Sequence, residues 1–246
     1  MELNCTNCHQ SITGNFCVNC GQPIKLHKID QHFISHEISH ALHFEKGFFY
    51  TAKELLIRPG ESVKEFIYHN RNKHMKPAGF LLLTSLIFTF VAYIFHADEL
   101  YNQMTKASAN KGSVAAIMGW VNSHWGYSNL FVGVFTAWCL KLFFRKYGFN
   151  FFEILIMLCF IFGEGMLILS FVTLFFPLMS NSAYMVISSI FSYLYLIWAI
   201  GKFFDGTKFY NYIKAFFAYC MGFILFYVAI IPVGLIADLI IKIFHK

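Results

Sequence analysis

The chain has 246 residues, of which 57% are hydrophobic and only 13% charged, with 31 phenylalanines and a mean hydropathy of +0.55. A water-soluble domain carries about 25% charged residues to cover its surface, so this composition excludes one and leaves a lipid-facing surface. The formal net charge of +6 does not point to nucleic acid, because the basic residues are scattered among apolar runs, where they mark the cytoplasmic ends of membrane spans.

Residues 1–24 are polar and Cys-rich, without the charged start and apolar core of a cleavable signal peptide. They contain Cys5-x-x-Cys8, then eight residues, then Cys17-x-x-Cys20-Gly21. Paired knuckles of this kind place four thiolates around one tetrahedral zinc, with Zn–S near ~2.3 Å. Gly21 suits the tight turn that points amides at the sulfurs. A segment this short has no useful hydrophobic core, so metal binding would supply its folding energy. Four protein ligands close the site, which makes it structural rather than catalytic. Disulfides are the competing reading, disfavoured for an N-terminus on the reducing side of a membrane. Few basic residues lie nearby, so a cytosolic protein is the expected partner and nucleic acid is not.

Residues 25–76 are rich in His, Lys and Glu. At 100° per residue His32, His36, His40 and His43 fall within an arc of about 80°. Ile34, Ile38, Ala41 and Phe48 fall roughly opposite, so the segment reads as an amphipathic helix with its apolar side on the membrane or the bundle. Within it, His36-Glu37-Ile38-Ser39-His40 matches H-E-x-x-H, in which two His one turn apart bind zinc and the Glu acts as base. That makes His36, Glu37 and His40 the candidate catalytic set of a zinc protease. No third ligand follows in a recognisable protease context, and His43 is only one turn away. A polar helix face at the membrane surface is the simpler reading; a non-catalytic metal site and a pH sensor are the others. Arg58-Pro59-Gly60-Glu61 then breaks the chain between two helical segments, with Glu61 suited to a helix first turn. Arg71, Lys73, His74 and Lys76 follow, ending at Pro77. Their basic charge marks topology, with contact to anionic lipid as the alternative.

Here a resemblance appears. The order Cys-x-x-Cys, Cys-x-x-Cys-Gly-Gln, His43-Phe44-Glu45-Lys46-Gly47, Thr51…Leu55-Leu56-x-Arg58-Pro59-Gly60 and Arg71…Pro77 resembles an uncharacterised bacterial family. It is a domain of unknown function found mainly among Bacteroidetes. The likeness covers residues 5–95 well and the later spans only by hydropathy. It implies a zinc ribbon on a helical membrane bundle in a bacterial inner membrane. It brings no established activity, so no catalytic residue is carried over.

From residue 77 the chain turns apolar. A helix needs about 20 apolar residues to cross the hydrocarbon core. The sequence predicts five spans, at about 77–95, 130–144, 151–176, 184–200 and 213–241, with a kink at Pro232. Arg58, Lys64, Arg71, Lys73 and Lys76 precede the first; Lys141, Arg145 and Lys146 end the second; Lys202, Lys208 and Lys214 lie between the fourth and fifth. The loop of residues 96–129 carries Asp98, Glu99, Lys106 and Lys111 and reads as external. This alternation places the N-terminus in the cytoplasm and the C-terminus outside. Lys242 and Lys246 fit that less well, and a final segment broken at Pro232 would return them inside. Residues 113–127, with Trp120, Trp125 and Tyr127, suit an interfacial helix. Cys139, Cys159 and Cys220 fall in spans and read as packing residues. The expected architecture is an all-α membrane protein, with a zinc ribbon (1–24), juxtamembrane amphipathic helices (25–76) and a transmembrane bundle (77–246).

Glu164 sits at the middle of the third span between Gly163 and Gly165. A charge at a helix centre costs roughly 2.5–3.5 kcal/mol on insertion scales, so such a residue is a functional candidate. It would bind a proton, a cation or a polar substrate; the alternative is a protonated Glu hydrogen-bonded to a neighbouring helix. Asp238 and Glu153 are weaker cases near an interface. Three functions compete. A membrane-anchored scaffold or sensor would recruit a partner through the ribbon. A small transporter or channel would use Glu164, with Ser170, Ser188, Ser189 and Tyr193 lining its path, and would need a homo-oligomer for a wide pore. A protease would hold metal at His36 and His40.

Overall fold

The computed structural model describes residues 47–244 except 70, 72, 98 and 101–111, together with residues 3–4, 11–12 and 19. The chain divides into two compact units, Met1–Glu45 and Lys46–Lys246. In the first, β1 (Leu3–Asn4) and β2 (Ser11–Ile12) pair antiparallel, with Leu3 opposite Ile12 and Asn4 opposite Ser11. The four cysteines and the His32–His43 segment lie outside the described residues.

The second unit is helical. It opens with a hairpin of α1 (Phe48–Ile57) and α2 (Pro59–Tyr68). Arg58, with φ −142°, leaves the helical region, and Pro59 starts α2 at its first position, where no backbone N–H is needed. The chain then forms α3 (Pro77–Ile94), α4 (Ser113–Ser123), α5 (Trp125–Phe143), α6 (Phe151–Thr173), α7 (Asn181–Asp205) and α8 (Phe209–Phe244). Four of these, α3, α6, α7 and α8, are long and apolar enough to cross a membrane. The fifth expected span is the shorter apolar stretch Ser128–Phe143 of α5. At 1.5 Å per residue it reaches about 24 Å, short of the ~30 Å hydrocarbon core. The chain is a multi-pass membrane protein in contact with lipid.

Two features near the last helix bear on the expectations above. The helix does not break at Pro232: α8 runs through it for 36 residues, about 54 Å. Lys242 therefore lies on that helix at its distal end. Residues 113–123 form a helix, and α4 runs along the distal half of α8. The Ser113 N–H donates to Asp238 Oδ1 at 3.0 Å, Val114 sits on Gly234, and Val121 joins the core cluster that contains Phe226 and Ile230. Asp238 is thus the N-terminal partner of α4, where a carboxylate meets free backbone donors.

The basic ends of the helices assemble together. Lys64 lies 5.7 Å from the Phe203 ring centre, Lys214 donates to the Phe143 carbonyl, and Phe144 stacks on Phe204 at 3.8 Å. Buried Asn211 donates to the Tyr147 hydroxyl at 2.8 Å and to the Asp205 carbonyl at 2.9 Å, tying the turns that enter α6 and α8. Glu153, expected near an interface, completes a capping box with Asn150 at the start of α6 and accepts from the Tyr68 hydroxyl at 3.1 Å.

Candidate functional site

The α1–α2 hairpin positions the site. Thr51 is fully buried, and its hydroxyl oxygen accepts from the Met75 N–H at 2.9 Å, which fixes the chain entering α3. The carbonyl of Leu55 would ordinarily bond the N–H of residue 59, but that residue is a proline. The Tyr195 hydroxyl of α7 donates to it instead, at 3.1 Å. Gly60 lies against the Lys202 and Phe203 backbone, so any side chain there would strike α7. The hairpin is thereby fastened to the membrane helices at both of its halves.

Beyond the hairpin, α6 and α7 diverge around a groove of about 820 Å³. One wall is a single stripe of α6, Glu164, Leu167, Ile168, Phe171 and Val172, with Phe175 just past the helix end. The other is a stripe of α7: Ile187, Phe191, Leu194, Tyr195 and Trp198. These spacings of three and four put each set on one helix face. Leu56 of α1 borders the end nearest the hairpin, and Met179 borders the other. Phe171 and Leu194, each 63% exposed, stand at the rim, so the groove opens toward lipid. Buried Thr173 and Tyr184 hydroxyls, 2.9 Å apart, join the two helices at the far end.

Glu164 is the acidic group of this groove. It is 3% exposed, and its Oε2 has no hydrogen-bond partner among the described residues. Its glycine neighbours play different parts. Gly163 admits α3: a Cβ there would stand 2.6 Å from Phe80 Cδ1 and 3.1 Å from Thr84 Oγ1. A Cβ on Gly165 would meet nothing within 4 Å. The contact with Phe80 and Thr84 also sets depth. Glu164 is central along α6 but stands opposite the first two turns of α3, roughly 5–10 Å from its start. The carboxyl is displaced toward the basic, hairpin-bearing end.

The hydroxyl path expected beside Glu164 is absent from the groove lining. Ser170 donates to the Met166 carbonyl at 2.7 Å and Ser188 to the Met185 carbonyl at 3.2 Å, each within its own helix. Tyr193 packs on Tyr219 of α8, and none of these residues or Ser189 lines the groove. Sequence reasoning missed Tyr195 and Trp198, although their spacing of three, which puts two amphipathic rings on one helix face, was a signal for them. Cys139 and Cys159 are buried, Cys220 is half-buried, and all three are free thiols. Among the described residues no group of three or more His, Cys, Asp or Glu is placed to hold a metal.

Residues 45–89 match a family model described as Protein of unknown function (DUF3667). No curated protein and no solved structure matches the chain. The matched stretch begins just before α1 and ends within α3. It contains Thr51, which holds the chain entering α3, and Leu55, Pro59 and Gly60, through which the hairpin meets α7.

Proposed function

We propose that this protein is a non-enzymatic scaffold or sensor in a bacterial inner membrane. In this reading an N-terminal zinc ribbon, held by Cys5, Cys8, Cys17 and Cys20, recruits a cytosolic protein partner. The observation that carries it is the α1–α2 hairpin. It is the first element after the N-terminal unit, and it is fastened to α3, α6 and α7 rather than left as a linker. A partner recruited through the N-terminus would then be fixed to the membrane bundle. The β1–β2 pairing supports the ribbon, because the six residues that join the two strands include Cys5 and Cys8. The donor set of four thiols in two C-x-x-C pairs suits a closed structural zinc site, which would order the N-terminal segment. The gathering of basic residues at the hairpin end supports a cytoplasmic N-terminus.

The test is metal content per purified chain. One zinc is expected in the wild type, none in Cys17→Ser/Cys20→Ser, and one in His36→Ala/His40→Ala. In cells, photo-cross-linking from residue 14 should give a protein adduct that the cysteine variant loses. A wild type without zinc would overturn the ribbon. Two zincs, falling to one in the histidine variant, would move the function to the His36-Glu37-x-x-His40 segment and to proteolysis.

A further inference from the structure

We infer that the groove between α6 and α7 binds a lipophilic primary ammonium, with the ammonium at Glu164 and one hydrocarbon chain along the groove. Three observations converge on this ligand. The first is the carboxyl itself. Its Oε2 is buried without a partner among the described residues, and a buried acceptor left unpaired is costly, so the site calls for a donor. The second is the aromatic pair beside it. Tyr195 and Trp198 lie with ring centres 5.9 Å apart on the same wall, and Trp is the best face for a cation. The Tyr195 hydroxyl is committed to the Leu55 carbonyl, so that side chain offers the site its ring. The third is the shape. From Glu164 to Val172 the wall runs eight residues along α6, about 12 Å, continues past the helix end to Phe175, and is apolar beyond its polar end. That length accommodates one extended chain through about half of the hydrocarbon core.

Position excludes other amphiphiles. The polar end of the groove lies level with the first turns of α3, so a ligand seated there keeps its head toward the basic end and its tail inward. A carboxylate or phosphate head would stand against the Glu164 carboxylate. A quaternary ammonium has no N–H to give Oε2. A neutral alcohol donates one hydrogen bond but gains nothing from the ion pair or the aromatic faces. Binding at this groove is independent of the zinc ribbon.

The experiment measures equilibrium binding of radiolabelled dodecylamine to the full chain in nanodiscs of zwitterionic lipid, with empty discs subtracted. One saturable site per chain is expected. Glu164→Gln keeps the shape and removes the charge, and should weaken binding at least about tenfold, as loss of a charge-assisted hydrogen bond does. Leu167→Trp fills the groove while leaving the carboxyl, and should also abolish saturable binding. Dodecanol and dodecanoate should not compete. Non-saturable partitioning equal in wild type and Glu164→Gln would overturn the inference, as would competition by dodecanol at the same concentration as unlabelled dodecylamine. Circular dichroism of both variants checks that the helices are intact; were Glu164→Gln unfolded, the Leu167→Trp result and the competition series would decide.

Discussion

Replacing Gly60 by alanine tests whether the hairpin is bonded to the bundle in the way described. The added Cβ would stand 2.5 Å from the Lys202 carbonyl carbon and 2.8 Å from the Phe203 nitrogen. Both are backbone atoms inside α7, held by that helix's own hydrogen bonds, so they cannot turn aside as a flexible side chain would. Ordinary contact needs 3.4–4 Å, so α2 must retreat by about 1 Å. Overpacking of this kind costs about 1–3 kcal/mol. Alanine also gains helix propensity, but at most about 1 kcal/mol in a helix interior and less at the second residue of α2. The clash outweighs the gain, leaving a net loss of about 1–2 kcal/mol. Reversible unfolding in mixed micelles by SDS titration measures it. Amide exchange within Phe48–Tyr68 should accelerate roughly 5- to 30-fold. Gly165→Ala is the control, since its Cβ meets nothing within 4 Å and should leave stability unchanged or raise it by up to ~1 kcal/mol. A Gly60→Ala protein as stable as the wild type would refute the hairpin contact.

Thr51→Val keeps the shape but strands the Met75 N–H, and should cost about 1–3 kcal/mol, whereas Thr51→Ser keeps the acceptor and should cost less; the same titration compares them. The bundle should lose stability as pH falls. His74 is held below the usual histidine pKa by burial, so the folded state resists a proton that the unfolded chain accepts, and stability declines below about pH 6.5. Glu65 is held below the usual carboxylate range by its hydrogen bond from Lys73, so its contribution is present above about pH 4.3 and is lost as pH falls further. His74→Phe should flatten the first part of that decline; an unchanged slope would remove His74 from the account.

Much of the bundle was legible because membrane helices announce themselves by length and composition. Pro77 and the Arg58-Pro59-Gly60-Glu61 break mark helix boundaries through backbone rules that tertiary context did not override. Pro232 obeys the same rules and yet sits inside α8. In a membrane bundle, neighbouring helices can satisfy the backbone group that a proline frees, so whether a helix continues depends on packing that periodicity does not carry. The role of α4 was hidden for a related reason. Trp120, Trp125 and Tyr127 suit an interface by residue type, but Val114 finds Gly234 more than a hundred residues away.

Glu164 shows where reading one helix at a time stops. Its place in the third span was correct, and its depth followed from the assumption that a helix centre lies at the bilayer centre. That holds only when neighbouring spans start level with one another. Here α6 begins before α3 does: Phe160 and Gly163, a dozen residues into α6, meet Phe80, the fourth residue of α3. The first turns of α6 therefore pack against the hairpin, where Phe66 meets Phe160, instead of against lipid. This offset moves the carboxyl toward the basic end and brings Leu56 into the same groove. Beyond the carboxyl, the wall from Leu167 to Phe175 is apolar, so Glu164 has no polar neighbour further along the groove.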